Sequence, residues 1–251
     1  MNNSLYIHHK TALVKKMDKL IEEMRDVSIS FDLLTNVENS CLIKFGNTIV
    51  ICKATIEETV PPFLRKSGMG WVTAEYGMLP GSTNERMKRE AKQASQSGRT
   101  QEIQRLIGRS LRVAVDRVAL GERQIIIDCD VIQADGGTRC ASICGGWIAL
   151  KLATKALIKS GKIKFDPIIR HVAAISCGIV DGEKKLDLNY QEDSAAETDA
   201  NFVMDDKGEL IEIQCSAEKK PFSKEEFESM FSIASKGIKK IIETQKSALN
   251  E

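Results

Sequence analysis

The stretch Asp128–Arg139, reading Asp-Cys-Asp-Val-Ile-Gln-Ala-Asp-Gly-Gly-Thr-Arg, constrains this chain most. Ile125-Ile126-Ile127 before it reads as a buried strand. The Ala- and Gly-rich segment Ala141 to Leu157 after it reads as a helix. Strand must therefore become helix across Gly136-Gly137, residues that accept left-handed backbone without a steric penalty. A glycine turn lets backbone N–H groups approach an anion closely. A helix N-terminus adds unpaired donors and the positive end of a dipole. Arg139 can grip phosphate through two parallel hydrogen bonds, and Thr138 adds a hydroxyl. With acids beside it, this corner points to phosphoryl transfer, although alone it would also serve as a capped strand–helix connection.

The rest of the chain alternates hairpins and helices. Apolar spacing predicts an amphipathic helix over Thr11 to Arg25. Cys41 to Phe45 and Thr48 to Thr55 read as a hairpin around Gly46-Asn47. Val72 to Leu79 is a strand, and the basic segment Asn84 to Gln96, which lacks an apolar stripe, is a loop. Gln101 to Val118 is a helix, Arg123 to Gln133 a strand, and Thr138 to Ser160 a long helix. Two further hairpins follow. His171 to Val180 and Glu183 to Leu188 turn at Asp181-Gly182; Phe202 to Met204 and Glu209 to Cys215 turn at Asp206-Lys207-Gly208. Ser223 and Glu226 form a capping box for a last helix, Ser223 to Gln245. The class is α+β with mixed or antiparallel sheets, and 251 residues suffice for one compact domain, 1–251.

Composition limits the options. The net charge of +1 leaves no overall basic field, so an RNA surface must be local or made by assembly. One basic cluster is Arg86, Lys88, Arg89, Lys92 and Arg99; another, at helical spacing, is Arg105, Arg109, Arg112 and Arg117. The seven cysteines include no CxxC pair and sit mostly in apolar runs, which predicts reduced thiols in a cytoplasmic protein. Cys140 and Cys144 share a helix face, but no histidine nearby completes a metal site. No run of 18 apolar residues occurs, and the first ten residues lack the features of a secretory signal. His8 and His9 read as part of a solvated tail.

Four blocks carry a resemblance: Gly70 to Pro80 (Gly-Trp-Val-Thr-Ala-Glu-Tyr-Gly-Met-Leu-Pro), Gly98 to Ile107, Asp128 to Arg139, and Asp193 to Asp199. In these residues, their order and their spacing, the chain resembles the bacterial ribonuclease PH family of phosphate-dependent 3′-exoribonucleases, from roughly Cys41 to Ala248. The resemblance implies the ribonuclease PH domain, a fold similar to ribosomal protein S5 domain 2. It also implies trimming of transfer RNA precursors, with inorganic phosphate as co-substrate and nucleoside diphosphates as product. It carries phosphate binding to Arg99, Gly137, Thr138 and Arg139, and catalysis to Asp193 and Asp199, which would hold magnesium. Asp187, on the preceding strand, is a third candidate carboxylate; Glu197 reads as structural. Arg86 and Arg89 match arginines linked to RNA contact and to assembly of a homohexamer, a trimer of dimers.

The chain departs from the family pattern in two places. Gly81 stands where arginine usually follows Leu-Pro, and Glu22-Glu23-Met24-Arg25-Asp26 stands in place of an Arg-Pro element, making residues 1–26 atypical. Both bear on assembly and transfer RNA affinity rather than on the phosphate site. Other readings are a catalytic exosome-type ring subunit, which shares the chemistry, and a non-catalytic RNA-binding ring subunit, which would lack the arginine pair or the aspartates.

Overall fold

Alternating burial builds the first sheet. A computed structural model describes residues 23–31, 38–93 and 95–251. Val27–Ser30 (β1), Ser40–Phe45 (β2), Thr48–Glu57 (β3) and Trp71–Met78 (β4) are followed by the helices Gly98–Val113 (α1) and Arg117–Leu120 (α2), then by Gln124–Gln133 (β5). The spatial order is β1-β2-β3-β5-β4, antiparallel except for the β4–β5 pair. Cys41, Ile43 and Phe45 face inward with Val50, Cys52 and Ala54, as a strand period of two requires.

The long helix Thr138–Lys159 (α3) then crosses between two sheets. The second sheet comprises Val172–Val180 (β6), Glu183–Leu186 (β7), Thr198–Asp205 (β8) and Leu210–Ala217 (β9), in the antiparallel order β7-β6-β8-β9. The short helix Tyr190–Ala195 (α4) sits between β7 and β8, and Lys224–Leu249 (α5) closes the described fold. Helix α3 packs on β2, β3 and β5 on one side and on β6 on the other, while α5 covers the far side of β6. Every residue of β6 is therefore buried, which explains its unbroken run of small and apolar residues. Among the described helices, α3 alone is long and apolar enough to cross a membrane, but 72% of that stretch is buried inside this fold.

The three expected hairpins form at their expected turns, and the Ser223–Glu226 capping box starts α5. The structure corrects two expectations and adds a strand that was not read. Helix α1 starts earlier than Gln101, because Ser97 caps it, and stops at Val113 rather than Val118. There Val115 bridges Ile168, and Asp116 caps the separate turn α2. Of the helix expected over Thr11 to Arg25, residues 11–22 lie outside the described residues and 23–25 are not helical; His8 and His9 also lie outside. Strand β1 was hidden by its length of four residues.

All seven thiols are free, six of them buried. Cys140 and Cys144 donate to Asn201 Oδ1 and the Ala174 carbonyl, so they are structural. The first sheet comes very close to α3 at Gly145, where a Cβ would lie 2.7 Å from Cys52 Sγ and 2.8 Å from Ile43 Cγ2. Gly145→Ala would gain about 1 kcal/mol of helix propensity, but overpacking of this kind costs about 1–3 kcal/mol. We expect a net fall in Tm; a variant more stable than the parent in thermal unfolding would contradict this packing account.

Candidate active site

The turn from β5 into α3 has the form its glycines require. Gly136 and Gly137 have φ of 75° and 67°. Gly136 has no room for a side chain, since a Cβ would stand 2.4 Å from the Leu188 carbonyl oxygen. Gly137 is the N-cap of α3, and no side chain caps the helix. Its first-turn donors are thus left for another acceptor.

Thr138 and Arg139 follow on the first turn. The buried Thr138 hydroxyl lies 2.9 Å from the Tyr76 hydroxyl. Burial pushes the Tyr76 phenol up, against the Thr138 hydrogen bond and the charges of Arg99 and Arg139. Arg139 donates from Nη1 to Gln214 Oε1 at 2.6 Å and lies 3.6 Å from Glu102 Oε1. Gln214 in turn donates to the same Glu102 oxygen at 2.7 Å. These three side chains, from α3, β9 and α1, hold the guanidinium in place. Arg99, on the first turn of α1, is exposed and has no ion-pair partner among the described residues. Glu102, one turn further along α1, is engaged instead by Arg139 and Gln214.

The aspartates come from two different elements. Asp193 lies on α4, which starts from an Asn189–Glu192 capping box and ends at Ala195. Asp199 lies on β8, two residues before Asn201, on the same face. Asn201 accepts from Cys140 and is in register with Gln214, so this face of β8 looks onto the first turn of α3. Asp193 stands at the solvent edge with part of its hydration replaced by protein. That desolvation, and then the charge of Asp199, pushes its carboxyl up, while Arg99 and Arg139 pull it down. The four predicted charged groups therefore act on one another at one place.

Two predicted sets lie elsewhere. Asp187 is not a third site carboxylate. It follows β7, is 1% exposed, and forms an ion pair with Arg25 at 2.6 Å. Arg86 and Arg89 are exposed on the loop between β4 and α1, on neither of the elements that carry the aspartates. That loop is nevertheless tied to the corner, because Glu90 accepts from Thr100 Oγ1 at 2.7 Å and from the Ser97 amide. Glu197 is structural as expected, pairing with Lys220 and accepting from the Gly182 amide. Tyr76, Glu102, Gln214 and Arg25 were not singled out from sequence; only Tyr76 and Glu102 lie within the blocks that carried the resemblance.

Two arginines and a helix N-terminus lie near a carboxylate pair, an arrangement chemically suited to phosphoryl transfer. Family models agree: residues 23–156 match domain 1 of the 3′ exoribonuclease family, and residues 171–237 match domain 2. The chain is 58% identical to ribonuclease PH of Cereibacter sphaeroides, over 91% of this chain and 97% of that protein. It is 57% identical to ribonuclease PH of Roseobacter denitrificans, over 91% and 96%. Among solved structures, the fold is similar to that of the Archaeoglobus fulgidus exosome with RNA bound to the active site, at TM-score 0.74 and 18% identity, covering 89% of each chain. It is also similar to rice (Oryza sativa) Rrp46, at TM-score 0.71 and 16% identity, covering 92% of this chain and 98% of that one. The chain belongs to the ribonuclease PH family of 3′ exoribonucleases.

The raised Asp193 carboxyl has a thermodynamic consequence. The folded protein holds this proton more tightly than the unfolded chain does. Stability is therefore lost as pH rises from the ordinary carboxylate value of about 4 through the raised one. Asp193→Asn removes that loss. Its Tm should exceed the parent's at neutral pH, and the difference should close below about pH 4. A variant less stable than the parent at every pH would show that Asp193 supports the fold instead.

Proposed function

We propose that this protein trims the 3′ end of transfer RNA precursors by phosphorolysis, releasing nucleoside 5′-diphosphates. The observation that carries the reading is the uncapped α3 N-terminus with Arg139 and Arg99 beside it, facing Asp193 and Asp199. The donors of Gly137 and Thr138, with the two guanidinium groups, would hold inorganic phosphate. An oxygen of that phosphate attacks the terminal phosphodiester. The bond to the 3′-oxygen of the shortened RNA breaks, and that oxygen leaves with a proton. The protein contributes position and compensating charge rather than covalent chemistry.

Magnesium fits the donor set. It takes one or two carboxylates together with waters and phosphate oxygens, and a divalent cation would offset the desolvation and the Asp199 charge that together raise Asp193. Asp193 and Asp199 would hold it, without Asp187. When bound, the ion neutralises charge that develops on the scissile phosphate. The identity to ribonuclease PH proteins supports the stand-alone enzyme over an exosome-type ring subunit, and the intact arginines and aspartates speak against a non-catalytic one. Free thiols throughout the described residues support a cytoplasmic setting.

A homohexamer, as a trimer of dimers, completes the reading. Its support is exposed apolar surface. Val118, Phe165 and Ile169 are 69%, 78% and 57% exposed, on segments joined through Asp116–Pro167 and Ile169–Ala114 hydrogen bonds. Arg86 and Arg89 would converge in the ring and contact RNA phosphates.

Purified protein given a 3′-extended RNA should shorten it only with inorganic phosphate present, and the product should be nucleoside diphosphate. Monophosphate release in phosphate-free buffer would identify a hydrolase. Asp193→Asn or Asp199→Asn should lower turnover by about 10² or more. Replacing Arg86 and Arg89 with alanine should weaken binding of a folded precursor, and its salt dependence, more than phosphorolysis of a short single strand. Equal losses on both substrates would remove these arginines from the RNA surface. Light scattering across a dilution series tests the ring.

A further inference from the structure

We propose that Arg25 is a positioning residue that locks the phosphate turn and the carboxylate helix into their working arrangement. The inference rests on the phosphorolytic reading of the site. Arg25 lies just before β1, far in sequence from every group in that site. Its backbone amide donates to Asp187 Oδ2 at 2.9 Å, its Nε to the same oxygen at 2.9 Å, and its Nη2 to Oδ1 at 2.6 Å. The same guanidinium reaches three backbone carbonyls: Asp135 from Nη1, and Gly136 and Leu188 from Nη2 at 3.5 and 3.4 Å. Asp135 and Gly136 form the turn that opens α3. Asp187 and Leu188 form the turn that leads into α4.

One side chain thus joins the two segments that deliver the phosphate donors and Asp193. The join is reinforced around it. Asp187 takes a left-handed φ of 55°, which redirects the chain out of β7; its amide donates to the Ser176 carbonyl and the Leu188 amide to Ser176 Oγ. Asp135 accepts from the Tyr190 amide at the start of α4, and Thr48 donates to the Gly136 carbonyl at 2.7 Å. In a trans peptide the N–H points opposite to the C=O. Drawing the Asp135 and Gly136 carbonyls toward Arg25 and Thr48 therefore turns the N–H groups of Gly136 and Gly137 the other way. A Cβ on Gly137 would stand 3.2 Å from Arg25 Nη2, so the turn lies directly on the guanidinium.

Stability alone is a poor explanation for this arrangement. The Arg25 side chain is 12% exposed and Asp187 1%, and desolvating such a pair offsets much of its attraction. What the pair supplies is geometry, because a rigid planar fork fixes several acceptors at once, where an ammonium would not.

The test compares Arg25→Lys and Asp187→Asn with the parent protein, on a short single-stranded RNA and inorganic phosphate. Oligomeric state and Tm are measured alongside kcat and both KM values. Lysine keeps the charge beside Asp187 but cannot hold all three carbonyls. We expect folded variants whose KM for phosphate rises about tenfold or more, with KM for RNA nearly unchanged; misplacement by about 1 Å can cost up to 10²-fold. Parent-like KM for phosphate overturns the proposal, whether kcat is normal or lowered with the folded fraction. Failure of Arg25→Lys to fold also overturns it, by making Arg25 a folding determinant. Absence of phosphorolysis in the parent would instead count against the reading of the site itself.

Discussion

Helix α3 can exist only with protein around it. Trp147, Ile148, Ala149 and Leu150 are consecutive and all fully buried, so this stretch has no solvent face. One sheet cannot bury such a helix. The β2–β3–β5 face covers one side and β6 the other, and α1 packs along it. Because burial sets the path of the helix, its first turn emerges at one defined place, beside the face of β8 that carries Asp199. The glycine corner at the start of α3 takes its rigidity from that core, and a site on rigid elements holds its geometry better than one on loops.

The site concentrates charge that the rest of the molecule balances out. Arg99 and Arg139 face Asp193 and Asp199, and neither pair is neutralised by a tight internal ion pair. Glu102 lies 3.6 Å from Arg139, and a neutral amide, Gln214, takes the shorter contact. This leaves the guanidinium oriented while much of its charge is not neutralised. The raised Asp193 carboxyl is the complementary sign, since a partly desolvated acid beside a second one favours a cation or a proton. Arrangements that push titratable groups apart in this way cluster at functional sites.

Legibility in the sequence follows distance along the chain. Gly46-Asn47, Asp181-Gly182 and Asp206 to Gly208 announce their turns because a few adjacent residues decide a turn. The Ser223–Glu226 box and the glycine entry to α3 are local for the same reason. Arg99, Thr138, Arg139, Asp193 and Asp199 were readable because they sit in contiguous blocks. Asp187 was readable as an acid but not as a partner. Its counter-ion lies 162 positions earlier, in a segment whose pattern looked atypical. The stop of α1 at Val113 was hidden too, because Val118 and Val113 continue the apolar spacing and only the bridge from Val115 to Ile168 ends the helix.

By itself the sequence determined the class of fold, the succession of hairpins and helices, the family, and which side chains could bind phosphate or a metal. These depend on residue type, local spacing and contiguous motifs. The tertiary structure alone decided which of those side chains meet. It set Asp193 beside Asp199 across the end of α4, gave Arg139 to Gln214 and Glu102, and withdrew Asp187 into a buried pair with Arg25. Each of these joins elements far apart in the chain, and their meeting is fixed by the burial of α3 between two sheets, which no local pattern encodes.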